Sequence, residues 1–87
     1  MAQVVGTEPA LADLEAIADY IAIENIAAAR ALVQRIVQHI GQLAAHPESG
    51  SRPKELGSRP RHRQIVESPC RILYRFYGKQ VFVLHVM

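Results

Sequence analysis

The stretch Cys70-Arg71-Ile72-Leu73-Tyr74-Arg75-Phe76-Tyr77-Gly78-Lys79-Gln80-Val81-Phe82-Val83-Leu84-His85-Val86-Met87 decides the fold. Two runs of β-branched, aromatic and alternating residues flank Gly78-Lys79. Gly at the first of two loop positions supplies the positive φ of a type II′ turn, so the run reads as a tight β-hairpin with Tyr77 facing Gln80. Alternation then assigns the faces. Ile72, Tyr74, Phe76, Val81, Val83, His85 and Met87 fall on one side. Arg71, Leu73, Arg75, Tyr77, Phe82, Leu84 and Val86 fall on the other. The first side is nearly all apolar and calls for a helical cover. The second mixes large apolar side chains with two arginines, an area too apolar to be left in water without a partner.

Working back from the hairpin, Ser68-Pro69 turns the chain out of a strand spanning residues 61–67, which completes an antiparallel meander. Pro47 to Pro60 is rich in Gly, Ser, Pro and basic residues and reads as a long loop, a feature that often carries function in so small a domain. Upstream lie two helical patterns. Leu11, Leu14, Ile17, Ala18 and Ile21 form an apolar stripe over residues 8–24, with Thr7 as the cap and Pro9 in the first turn. Asn25 separates it from a second stripe of Ala28, Ala29, Leu32, Val33, Ile36, Val37, Ile40, Leu43 and Ala44, which ends near Ala45 because Pro47 disfavours helix before it. Ala2 to Gly6 reads as a short strand. The expected architecture is one α+β domain over residues 1–87: an N-terminal strand, an antiparallel helical hairpin, and a β-meander on which the hairpin packs.

A chain of 87 residues buries a modest core and gains from a partner. A lone cysteine forms no intrachain disulfide, no secretory leader pattern opens the chain, and no apolar run approaches the roughly 20 residues of a membrane span. A cytoplasmic protein without membrane contact is expected. The net charge of +2 hides an asymmetry: residues 1–50 hold two arginines against six acids, or −4, whereas residues 51–87 hold eight basic residues against two acids, or +6. A basic loop and sheet suits an acidic partner, either nucleic acid or an acidic protein segment.

Metal and cofactor chemistry finds no foothold in these spacings. His39 and His46 lie seven apart with no completing ligand set, and His39 reads as a solvated helix residue. For His85 the plain reading is a histidine with one satisfied nitrogen at the sheet edge. No nucleophile triad, phosphate-binding glycine loop or useful carboxylate pair is present. The remaining candidates are basic: Arg52, Lys54, Arg59, Arg61, His62, Arg63, Arg71 and Arg75. Arginine forks suit phosphates or carboxylates. Arg71 and Arg75 share a face with either Arg61 or Arg63, depending on the register at Ser68-Pro69.

Several segments together resemble the RelE/ParE superfamily of bacterial toxins: Ala10 to Asp13-Leu14, Ala18-Asp19-Tyr20-Ile21 with Asn25 and Ala27 to Ala29, Glu55-Leu56 followed by Arg61 and Arg63, and Arg71-Ile72-Leu73-Tyr74-Arg75 leading to Val81 through Val86. The resemblance covers nearly the whole chain, and the Asn-initiated, Ala-rich second helix is more similar to ParE than to RelE. It implies the toxin half of a type II toxin-antitoxin pair, inhibiting DNA gyrase and neutralised by a cognate antitoxin. The antitoxin's acidic and apolar C-terminal tail would lie on Arg71, Leu73, Arg75, Phe82 and Leu84. A RelE-like member would instead cut messenger RNA on the ribosome. Arg71 would then stabilise the phosphorane, with Lys54 or Glu55 and Arg63 as further members of the site. A third alternative is a noncatalytic member that only binds its antitoxin. No cofactor is implied by any of the three.

Overall fold

Strand β1 (Gln3–Gly6), helices α1 (Glu8–Ala22) and α2 (Ile26–Gln42), and strands β2 (His62–Glu67), β3 (Cys70–Tyr77) and β4 (Gln80–Val86) follow in that order. They come from a computed structural model that describes residues 1–52 and 61–87. The expected α+β architecture is found, and the N-terminal strand takes a definite place in it. The sheet runs β1-β4-β3-β2. β1 lies parallel to β4, while the other two pairs are antiparallel.

Local chemistry explains the helix boundaries. The Thr7 hydroxyl oxygen accepts from the Ala10 amide, Pro9 sits in the first turn of α1, and the Asn25 side chain accepts from the Ala28 amide at 2.9 Å. Each cap satisfies an amide that the helix itself leaves free. The Gly78 turn has φ of 58°, and no non-glycine among the described residues has positive φ. Lys79 therefore excludes type I′ and leaves the expected type II′ geometry.

The helical hairpin covers one face of the sheet. Leu32 and Ile36 of α2 and Ala10 of α1 pack with Ile72, Val83 and Val86, with Leu14, Ile17 and Ile21 against them. Leu43, Tyr74 and Val81 close the other end. Each large side chain removed from water here contributes about 1.5–3 kcal/mol before entropy is counted, and the helical layer and the central strands β3 and β4 both supply such side chains. Three stripe positions, Leu11, Ala28 and Val37, are exposed against expectation. Leu11 is 59% exposed and Val37 54%, while Ala10 is buried. The inward line of α1 thus runs through Ala10, which is buried, and Leu14, Ile17 and Ile21, which pack partly buried against the same core.

The largest departure lies near the end of β4. Tyr74 pairs with Val83 but Leu73 pairs with His85, so Leu84 is an extra residue and the register shifts by one. A bulge puts two successive residues on one side and exchanges every later position. Val86 therefore enters the core opposite Ile72, instead of joining the arginine face. His85 leaves the core side, and Met87, bonded to Arg71 through both backbone groups, lies on the arginine side and is 50% exposed.

The bulge coincides with the end of β1, which pairs no further than Gly6 with Val83. Backbone groups of β4 beyond that point need other partners. The Thr7 hydroxyl donates to the Val83 carbonyl at 2.6 Å, and the Asp13 carboxylate accepts from the Val86 amide at 3.1 Å and pairs with His85 Nδ1 at 2.9 Å.

Candidate functional site

Opposite the helices, the register brings four rows of side chains together: Val66, Arg71 and Met87; Gln64, Leu73 and His85 with Leu84; His62, Arg75, Phe82 and Val5; then Tyr77, Gln80 and Gln3. Leu73, Phe82 and Leu84 are half-buried although no described helix lies over them, and Arg75 is exposed. The Arg75 guanidinium stands 5.2 Å from the centre of the Phe82 ring. Arg71 donates to Gln64 Oε1 at 3.1 Å. An apolar strip flanked by guanidinium groups can receive an extended or helical segment that offers apolar anchors and carboxylates.

Arg63 is not on this face. It pairs with Tyr74 in the ladder, so its side chain points to the helix side, where it donates to the carbonyls of Gly50 at 2.9 Å and Glu48 at 3.3 Å. Arg61, bonded through its carbonyl to Phe76, has the same polarity. The register thus settles the neighbours of Arg71 and Arg75: His62, Gln64 and Val66, not Arg61 or Arg63. Of the residues named for RNA cleavage, Arg71 and Arg63 lie on opposite faces of the sheet. Lys54, like Glu55 and Arg59, lies outside the described residues.

Three polar constellations were missed by sequence reasoning. Tyr74, fully buried, donates its hydroxyl to the Pro47 carbonyl at 2.8 Å and accepts from the Gly50 amide at 3.0 Å. Burial pushes its phenol up, which keeps it a neutral donor. Gly50 is required there, because a Cβ would stand 2.6 Å from the Gln64 carbonyl oxygen and 2.7 Å from the Tyr74 hydroxyl. Ser51 bridges to Gln64 beside it, so the described start of the loop is bound to the β2 edge.

Glu67 closes the second constellation, accepting from Arg35 Nε and pairing with His39 Nε2, both at 2.7 Å. Bonding to His39 and then to Arg35 holds its carboxyl below the ordinary value of 4.5. His39 is therefore a helix-to-sheet tie and not a solvated residue. A signal was present: Arg35 and His39 are four residues apart, on one helical face, and β2 ends in an acid. In the third constellation, bonding to His85, then to the Val86 amide, holds Asp13 below 3.8. Burial pushes the Cys70 thiol up, with Glu67 adding to the shift, so it stays protonated and unreactive.

Among the described residues, no three His, Cys, Asp or Glu side chains converge as metal ligands, and no helix is long and apolar enough to cross a membrane.

A family model described as "ParE toxin of type II toxin-antitoxin system, parDE" matches residues 4–87. Among solved structures, a chain of the "Chromosomal ParDE TA system from P. aeruginosa" is similar at a TM-score of 0.77 and 28% identity, over 99% of this chain and 94% of that one. Curated proteins provide no match by sequence.

Proposed function

The chain belongs to the ParE toxin family of type II toxin-antitoxin systems, and from that premise we propose that it inhibits DNA gyrase in the cytoplasm and is neutralised by a cognate antitoxin laid along the arginine face of its sheet. The observation that carries the antitoxin half is the half-buried strip of Leu73, Phe82 and Leu84 between Arg71 and Arg75, over which no described helix lies. A tail with apolar anchors and acidic neighbours would complement both the area and the charge of that strip. Gyrase as target rests on family membership. RNA cleavage is the weaker reading, since Arg71 and Arg63 face opposite ways.

A supercoiling assay tests the target directly. Purified protein without antitoxin is expected to inhibit gyrase supercoiling while leaving ribosome-bound messenger RNA intact. Normal supercoiling with cleaved transcripts would reverse the assignment, and neither effect would leave antitoxin binding alone.

A further inference from the structure

A cleft of about 590 Å³ lies at the end of the sheet beside the Gly78 turn, lined by Glu48, Arg52, Arg61, Arg63, Phe76, Tyr77 and Gly78. Three guanidinium groups against one carboxylate leave it net positive. They are not equivalent. Arg63 is spent on the Gly50 and Glu48 carbonyls and lends the cleft its charge. Arg61 is placed by a different contact: its guanidinium lies 4.2 Å from the centre of the Tyr77 ring, forming a cation-π plate across the strand end. Tyr77 is 55% exposed, so the plate borders solvent.

We infer that this cleft binds single-stranded nucleic acid, a phosphodiester between Arg52 and Arg61 and a base against the plate that Arg61 and Tyr77 form. Guanidinium groups beside an exposed aromatic ring are the combination by which proteins hold unpaired strands, the cation tracking the backbone and the ring stacking the base. An acidic peptide would use the arginines equally well but offers no flat group to the plate, which is why nucleic acid is the better occupant. Arg63 comes from β2, Arg61 from the residue just before it, tied to β3 by the Phe76 amide on its carbonyl, and Tyr77 from the end of β3. Regular pairing therefore holds the cleft in shape without a ligand. The inference is independent of gyrase as target, since binding is measured with no other protein present.

The test is fluorescence anisotropy of a labelled twelve-nucleotide oligothymidylate with the full chain. With two phosphates held, affinity is expected to fall about sevenfold between about 50 and 200 mM salt. Combined Arg52→Gln and Arg61→Gln should weaken binding at least about tenfold, and Tyr77→Leu by about the same factor, whereas Tyr77→Phe should bind as the unsubstituted protein does. Arg30→Gln, on the exposed side of α2, should change nothing. All these side chains are exposed or lie at strand ends, and circular dichroism of each variant confirms its folding. Absence of binding at the lower salt, indifference to the paired arginine substitution, or equal competition by an oligoglutamate of the same charge would each overturn the inference.

Discussion

Tyr74 shows how one side chain can be both core and fastener. Its ring is fully buried beneath Leu43 and Val81, and its hydroxyl joins Pro47 to Gly50 across the end of α2. Tyr74→Phe keeps the ring and leaves a buried amide and a carbonyl with one partner fewer, so a loss of about 1–3 kcal/mol is expected in urea unfolding. Amide exchange at Gly50 and Ser51 should rise more than exchange in β4. Gly50→Ala acts on the same spot from the backbone side. Its Cβ would press on the Gln64 carbonyl that the Ser51 amide needs, and about 1–3 kcal/mol is expected to be lost. If Gly50→Ala were neutral, the close approach of these segments would be wrong.

The elements are joined at two polar ties, and both titrate in acid. Asp13 links α1 to β4, and Glu67 links β2 to α2. Each carboxyl is held below its ordinary value in the folded protein, Asp13 chiefly by His85 and Glu67 chiefly by His39. The folded state therefore binds fewer protons, so both favour folding above the ordinary values of 3.8 and 4.5, and their contribution disappears as the pH falls through the depressed ones. Glu67→Gln should lower the melting temperature at neutral pH, with the deficit closing as the pH is taken below the carboxylate range. A deficit independent of pH would remove the tie.

The bulge in β4 makes a second prediction at this scale. Val86→Ala should cost about 1–3 kcal/mol because it empties a core site opposite Ile72, and Leu84→Ala should cost less because Leu84 lies on the face that α1 and α2 do not cover. The unshifted register of simple alternation would put both residues on the arginine face and give Val86→Ala no greater cost than Leu84→Ala.

At the scale of the molecule, charge and cover are distributed together. Acidic residues dominate the half that supplies the helices and basic ones the half that supplies the meander, while α1 and α2 cover one sheet face and not the other. A partner offering carboxylates is attracted to the sheet face and repelled by the helical layer, so orientation is set before contact. Arg71→Ala and Arg75→Ala are each expected to weaken binding of the cognate antitoxin, with the loss shrinking as salt rises. Titration calorimetry across salt concentrations reads both effects, and unchanged affinity in both variants would withdraw the antitoxin from this face.

Local chemistry alone determined a large part of this protein. Gly78 set the hairpin turn, Thr7 and Asn25 set the helix starts, and the apolar period set the layer order, because each acts on dihedral angles and hydrogen bonds within a few residues. The strip of Leu73, Phe82 and Leu84 with its arginines was legible for the same reason, since alternation holds wherever pairing is regular. Alternation failed at His85, Val86 and Met87. There β1 runs out, and Thr7, 76 residues away from Val83, supplies the next partner. No residue near Leu84 announces that event. Which edge β1 joins, where β4 bulges, and that Arg61 and Tyr77 meet beside Arg52 were decided by tertiary packing, because the hydrogen bonds and contacts concerned form between segments that only the folded chain brings together.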